Sequence, residues 1–378
     1  MSIEIKMKIL PLSKNNYCRT SKTNLKNNSN FTKPQILNKN NQISFRANFD
    51  LAYKTEANML RLESTRNQQI AQKQVNKAKQ IYSRRQGILD EAQDVLQQAI
   101  QYQSELFEMI QFSDDGNNFN LMYNPNEGIE IKHTHDYQAY QITQQISDDK
   151  IKRTQVGADG VMVYIDDLKT KTTDAFVYSV PDFEIDYCSK DVDFNSSSLY
   201  SKKRFAFENN ELTTYDEDVT FYFLYKTGQK ASISYVFDKN ELTECNVGIK
   251  QDEKYLNISQ VYYFSPDGKL DQSCLDAVCD MNNNESFTGV ELQYNQNQEL
   301  DVCIKNEHIN VYNRKNCDKI FEYKDGKLEE ILIGAYIKAP GMMDAKRVYQ
   351  YENSIPKCAL LNLQNSGIDY VCKQKIEF

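Results

Sequence analysis

Seven pairs of apolar residues, each pair spaced as on one face of a β-strand, recur through the C-terminal two thirds of the chain: Phe176/Tyr178, Phe205/Phe207, Tyr235/Phe237, Tyr262/Phe264, Leu292/Tyr294, Phe321/Tyr323 and Tyr349/Tyr351. Their second members lie 29, 30, 27, 30, 29 and 28 residues apart. Nothing else in the sequence constrains the fold as tightly. Turn-formers follow the pairs, as in Glu208-Asn209-Asn210, Asp238-Lys239-Asn240, Ser265-Pro266-Asp267-Gly268, Lys324-Asp325-Gly326 and Glu352-Asn353-Ser354. An aliphatic residue then falls in register at Ile185, Leu212, Leu242, Leu270, Leu300, Leu328 and, less cleanly, Leu360. Six residues later stands a second small residue, at Asp191, Asp218, Gly248, Asp276, Asn306 and Gly334, which reads as a further turn.

The pattern is a strand, a tight turn, a return strand and a connector, copied about seven times with a period near 29. A single hairpin cannot bury its own aromatic face, so neighbouring copies must stack. Two fainter copies precede the seven, at Leu121/Tyr123 and around Ile146 to Gly157.

The register also accounts for most of the cysteines. Cys188, Cys245 and Cys303 each fall three residues after the aliphatic anchor and Cys274 falls four after it, while Tyr215 and Ile331 take the three-residue offset in other copies. A thiol that interchanges with Tyr and Ile is being used for its volume, so these cysteines are expected to be buried fillers. With 9 Cys, an odd number, and no CxxC pair, the chain has neither a zinc nor a disulfide framework.

Upstream of the hairpins, from Asp50 as N-cap to about Phe112, the period becomes helical. Apolar or small residues at Ile81, Ile88, Ala92, Val95, Ala99, Tyr102, Leu106 and Met109 alternate steps of four and three, apart from Arg85. This coiled-coil-like stripe widens through Leu89, Leu96, Ile100, Phe107 and Ile110, which favours docking on the chain's own sheet at that end. In the first half Ser64, Asn67 and Gln74 fall on the stripe, so that half is expected to stand free or to pair with another chain, making a homo-oligomer. A break into a hairpin at Arg84-Arg85-Gln86-Gly87 is the alternative to one continuous helix.

The organisation expected is therefore α+β: a disordered basic leader over 1–48, a long amphipathic helix over 49–113, and a mainly antiparallel hairpin-repeat domain over 117–378. The leader carries nine Lys or Arg against Glu4 alone, and residues 114–378 carry 28 basic against 44 acidic residues. An acidic array repels a phosphate backbone, so no nucleic-acid partner is expected. Mean hydropathy is −0.68 and no apolar run nears the roughly 20 residues of a membrane helix, so no membrane span is expected. Ile9-Leu10-Pro11-Leu12 is too short for the core of a signal peptide, which makes the cytoplasm the favoured location.

Chemistry-bearing motifs are sparse, and no catalytic, cofactor-binding or metal residue is assigned. His133-Thr134-His135 puts two imidazoles on one strand face, a pattern more common in a solvated face than in a metal site. His308 stands alone. Asp114-Asp115-Gly116-Asn117-Asn118 and Asn124-Pro125-Asn126-Glu127-Gly128 lack the distal acid of a calcium loop and read as turns. No nucleophile elbow, phosphate loop or dinucleotide fingerprint is present. The functional expectation is a non-enzymatic interaction or scaffold protein whose β surface meets a protein or glycan, with a glycan-active hydrolase or a structural spacer as alternatives.

The strings Val261-Tyr262-Tyr263-Phe264-Ser265-Pro266-Asp267-Gly268-Lys269-Leu270 and Phe321-Glu322-Tyr323-Lys324-Asp325-Gly326-Lys327-Leu328 resemble the aromatic-turn-Gly-Lys-Leu unit of bacterial MORN-like and cell-wall-binding repeats. The resemblance covers roughly residues 170–360 and implies tandem hairpins in a binding or scaffold module. The period here is longer than in those families and the chain has no Trp, so no ligand-binding residue follows from it.

Overall fold

The structure is a computed structural model that describes residues 39–112, 119–122, 130–134, 139–157, 160–194, 198–222, 228–339, 342–365 and 370–378. Most of the expected leader, and both turns once weighed as calcium loops, lie outside the described residues.

Two helices come first, α1 (Lys39–Ser83) and α2 (Arg85–Met109), followed by a long series of antiparallel strands. The junction between the helices is one residue deep. Arg84 keeps right-handed helical angles (φ −80°, ψ −16°), and Ile88 N–H donates to Arg84 C=O at 3.2 Å, so the helical path continues and the hairpin alternative does not form. The helix ends at Met109, short of the expected Phe112. Ile110–Phe112 turns into a strand that pairs with Phe119–Leu121, because a β-branched residue begins a short alternating run there.

The described residues form two compact units. The first comprises residues 77–270; the second joins the helix residues before 77 to residues 271–378.

Within the first unit, successive strands place Val163, Phe176, Cys188, Phe205, Tyr215, Tyr235, Cys245 and Tyr262 opposite one another, in one lateral row. The second unit builds the same row from Ser273, Leu292, Cys303, Phe321, Ile331, Tyr349, Ala359 and Ile376. The aromatic pairs and the filler cysteines thus share one buried face. Their three-residue offset, odd for a strand, has a local cause. A β-bulge inserts one extra residue after Ile185, Leu212, Leu242, Leu300 and Leu328, at Asp186, Thr213, Thr243, Asp301 and Glu329, which returns the anchor and the third residue to the same face; in the last copy the bulge at Lys357 follows Pro356, which takes the anchor position in place of the expected Leu360. Thr213 and Thr243 fasten their bulges with hydroxyl bonds to the C=O of Ala206 and Val236. Cys274, one residue further along, faces the other way and lies in line with Glu291.

The small residues read as second turns are not turns. Asp191, Asp218, Gly248, Asp276, Asn306, Gly334 and, in addition, Asn362 sit inside return strands with φ between 51° and 71°. Asp, Asn and Gly tolerate left-handed backbone, and here that tolerance kinks a strand while its register continues. At Gly248 space matters as well, since a Cβ would meet Ser259 Oγ at 2.6 Å. The hairpin turns proper are two-residue turns with both φ values positive at Asn209-Asn210, Lys239-Asn240, Asp325-Gly326 and Asn353-Ser354, as a right-twisted hairpin requires.

Each unit lays its helix segment on the aromatic row. In the second unit Ala57, Leu60, Ser64, Asn67, Ala71 and Gln74 are buried; in the first, Ala78, Ile81, Ile88, Ala92, Val95, Ala99 and Leu106. The stripe alternates steps of three and four, and its frequent Ala lets the helix approach the sheet closely. Ser64, Asn67 and Gln74 are therefore covered by the chain's own strands, not left for a second chain.

Candidate functional site

Four tyrosines of the strand rows donate their hydroxyls to carbonyls inside the helices: Tyr178 to Ala99 (2.9 Å), Tyr294 to Ala71 (3.4 Å), Tyr323 to Ser64 (3.3 Å) and Tyr351 to Ala57 (2.8 Å). A helical carbonyl keeps a second lone pair after its i+4 bond, so it accepts without breaking the helix. Ala71, Ser64 and Ala57 are seven residues apart, one for each successive hairpin of the second unit. Seven residues rise about 10.5 Å and two strands span about 9.6 Å, so the steps match.

A second heptad position carries charge. In the second unit Glu56 meets Arg347 at 2.9 Å and Tyr349 OH at 2.5 Å, while Glu63 meets Lys319 at 2.7 Å. In the first unit Lys77 reaches Gln260 Oε1 (2.5 Å), Arg84 pairs with Glu217 (2.5 Å), Glu91 with Lys203 (2.6 Å) and Glu105 with Lys152. The sign reverses at Lys77 and Arg84 and returns at Glu91; the strand partners of Glu63, Arg84 and Glu91 reverse with it, while that of Lys77 is the neutral Gln260. Sliding the helix one heptad in one direction would set Arg84 beside Lys203, and in the other Glu91 beside Glu217, so these pairs specify its register.

Opposite the helix, the strand face differs from expectation. Ser234 and Glu322, which face away from the aromatic row, belong on a solvated face by simple alternation; Ser234 is 0% exposed, and burial pushes the Glu322 carboxyl up to about 7. Part of this second face is buried as well, at Asp216, Ser234, Asn246 and Glu291. In the first unit Arg204, Asp216, Ser234 and Asn246 stand opposite one another on four successive strands. Asp216, Ser234 and Asn246 are at most 1% exposed. Arg204 lies between the rings of Tyr187 (4.7 Å) and Phe221 (5.1 Å). Burial raises the Asp216 pKa, opposed by the Arg204 charge and by a hydrogen bond with Ser234. Asn246 Nδ2 donates to Glu244 Oε1 at 2.6 Å. Among the described residues Arg204 Nε and Asn246 Oδ1 have no hydrogen-bond partner.

The second unit holds a buried acid cluster on its corresponding face. Glu291 and Glu307 lie together, Lys315 is 2.6 Å from Glu307, and Gln293 donates to Glu291 at 2.6 Å. Burial, reinforced by Glu307, pushes the Glu291 carboxyl up to about 8. Beyond the cluster the row turns apolar, with Ile304, Ile320, Leu332, Val348 and Leu360 in line.

His133 falls in the strand Glu130–Thr134, while His135 lies outside the described residues, so their pairing has no structural account. His308 Nε2 is 3.6 Å from Glu285 in a half-exposed pair. Among the described residues no group of three or more His, Cys, Asp or Glu is placed to hold a metal ion, and no helix is long and apolar enough to cross a membrane. Cys188, Cys245 and Cys303 are wholly buried, and burial raises all three thiols, Cys303 to about 12. The buried polar row went unnoticed in the sequence, although aligning the hairpin copies sets Arg204 and Ser234 in the column of Ile320 and Val348.

No family description and no curated protein matches the chain. Among solved structures it is similar to a chain from "Crystal structure of BBS1N in complex with ARL6DN, soaked with lead", at 7% identity and a TM-score of 0.13, over 68% of this chain and 94% of that one. A TM-score that low carries no argument.

Proposed function

We propose that this protein is a non-enzymatic interaction scaffold, a braced array of tandem β-hairpins with a period near 29 that presents its outer surface to a protein or glycan. The observation that carries the reading is where the aromatic residues go. Their rings and hydroxyls are used internally, on a helix held in register by sign-matched charges, which makes the array a support and leaves recognition to the helix's outer face and the hairpin ends. Leu51, Met59 and Leu62 are more than 60% exposed on the helix, and Tyr312 is 75% exposed on the turn after the strand Leu300–Ile309. Exposed large apolar residues of this kind suit partner contact.

A hydrolase acting on glycans is the second reading, supported by the Glu291–Glu307 pair, since a carboxyl held protonated near neutrality beside a second carboxyl is the equipment of a general acid. Probing glycan and protein arrays with the full chain separates the two. Saturable capture of a partner whose mass is unchanged after incubation supports the scaffold. Turnover of the captured glycan, lost in Glu291→Gln, overturns it, and so does failure to bind on either array.

A further inference from the structure

Near the connector ends of the strands, the second unit carries a surface row unlike the rest of its face. Val278, Phe287, His308, Asn316, Tyr336 and Asp344 stand opposite one another on six successive strands, so they share one face of the sheet. Phe287 is 41% exposed, the His308 side chain 45%, and Asn316 is exposed. Rings and hydrogen-bonding groups are interleaved, Phe287 and Tyr336 standing three interstrand steps apart, about 14 Å, with His308 and Asn316 between them. Two residues past the left-handed kinks, the first unit's corresponding row is Tyr200, Thr220, Lys230, Lys250 and Asn257, with one ring and two lysines, as a solvated face has. At its Asp344 end the second unit's row borders a shallow depression of about 200 Å³ whose lining includes Gly334, Lys346, Asn362 and Lys373. A Cβ on Gly334 would lie 2.9 Å from the Lys346 side chain, so glycine leaves that space unfilled. Residues 114–378 carry 28 basic against 44 acidic residues, yet Asp344 is the row's only acid, and Lys346 and Lys373 offset it.

We propose that this strip binds a neutral glycan, a linear chain of sugar rings laid across the strands from Phe287 to Asp344. A sugar ring offers a face of C–H bonds and an edge of hydroxyls. The face packs on an aromatic ring, and the hydroxyls exchange hydrogen bonds with imidazole, amide and carboxylate groups. A protein partner is better served by anchors clustered at one centre, whereas here the rings are held apart by hydrogen-bonding side chains. The near-balance of charge along the strip, in an otherwise acidic region, matches a ligand without charge. This inference rests on the scaffold reading and deepens it, naming a glycan as the partner and placing it on the second unit.

The test titrates cellohexaose, maltohexaose and chitohexaose into the full chain by calorimetry, with circular dichroism as the check on folding. The expected result is saturable binding of at least one hexasaccharide, weakened about tenfold or more by Phe287→Ala and retained by Phe287→Tyr, which keeps a ring. Asn316→Ala, at an exposed position, is expected to weaken binding too and supplies the same reading if Phe287→Ala disturbs the fold. Lys230→Ala, in the first unit's corresponding row, is expected to leave binding unchanged. The proposal is overturned if no hexasaccharide binds, if binding survives Phe287→Ala and Asn316→Ala alike, or if Lys230→Ala weakens it as much as they do. Capture of a protein on the arrays without any hexasaccharide binding overturns the glycan strip and leaves the scaffold reading standing, whereas capture of nothing overturns both.

Discussion

In the first unit the strand positions flanking the aromatic row hold Arg204, Asp216, Ser234 and Asn246; in the second, the equivalent positions hold Ile304, Ile320, Leu332 and Val348. The helix side is built alike in both, with the same alternation and the same bulges, although tyrosine-to-carbonyl bonds number one in the first unit and three in the second, where Phe207, Phe237 and Phe264 of the first have Tyr counterparts. A repeat unit therefore has one face fixed by its need for a neighbour and a helix, and one face whose chemistry is open to change. Stability is held in common, and difference is confined to the other face.

Thiol reactivity gives the largest contrast that tests the shared side. Cys188 and Cys245 of the first unit and Cys303 of the second are 0% exposed, so a thiol reagent is expected to leave all three unmodified until the chain is denatured, while the partly exposed Cys279 and Cys372 react natively. Mass-mapped labelling reads this directly, and native modification of either unit's row cysteines breaks the equivalence.

Next come the aromatic anchors. Phe237→Ala and Tyr323→Ala are expected to cost about 3–5 kcal/mol each in denaturant unfolding, because both side chains are buried against a helix. Phe237→Ala should also speed hydrogen exchange near Phe207 and Phe264, its neighbours in the stack. A silent Phe237→Ala would mean that the row serves something other than packing.

The acid cluster sharpens the contrast through pH. Unfolded Glu291 ionises near 4.5, and the folded carboxyl near 8. Between those values the unfolded chain has released a proton that the folded chain keeps, so stability falls as pH rises, on the order of 1.4 kcal/mol per pH unit at most, and levels off above 8. Glu291→Gln should flatten this slope without affecting protection of the first unit. A slope unchanged by the substitution would place its origin elsewhere.

Exchanging the two faces is expected to give smaller and unequal effects. Leu332→Asn should cost about 3 kcal/mol, combining lost burial with an unpaired amide, whereas Asn246→Leu should change stability by no more than about 1 kcal/mol, because removing an unpaired oxygen is offset by losing the amide bond to buried Glu244. If both destabilise equally, the polar row is satisfied in a way its geometry does not reveal. Smallest of all is the register charge. Glu63→Lys should cost no more than about 1 kcal/mol, because the pair is about one-third exposed, and Lys319→Glu in the same chain should restore most of it.

Much of the helix side was legible in the sequence, because the strand alternation and the three-four helical stripe both record burial. The bulges were present as an odd spacing from Leu242 to Cys245 but do not announce themselves, since a bulge adds a residue without a preferred type. Asp218 and Asn306 were recognised as left-handed formers and assigned to turns; composition tells that φ is positive, not whether pairing continues past it. The opposite face is not legible because a buried Ser234 or Asn246 looks, in sequence, like a solvated residue. Ile110–Phe112 was absorbed into the helix because Ile110 continued the apolar stripe.

The seven-residue step of the helix has a consequence for how such a chain can lengthen. A hairpin duplicated near the C-terminal end finds no carbonyl to bond and no charge to meet unless one heptad is inserted far away in the helix. Growth therefore demands two coordinated insertions of unequal size, separated by most of the gene. An insertion in one element alone, made between two such pairs, sets them one step out of register with each other, as for Glu56 with Arg347 and Glu63 with Lys319. The helix acts as a tally of the hairpins, and the number of copies is recorded twice in one sequence.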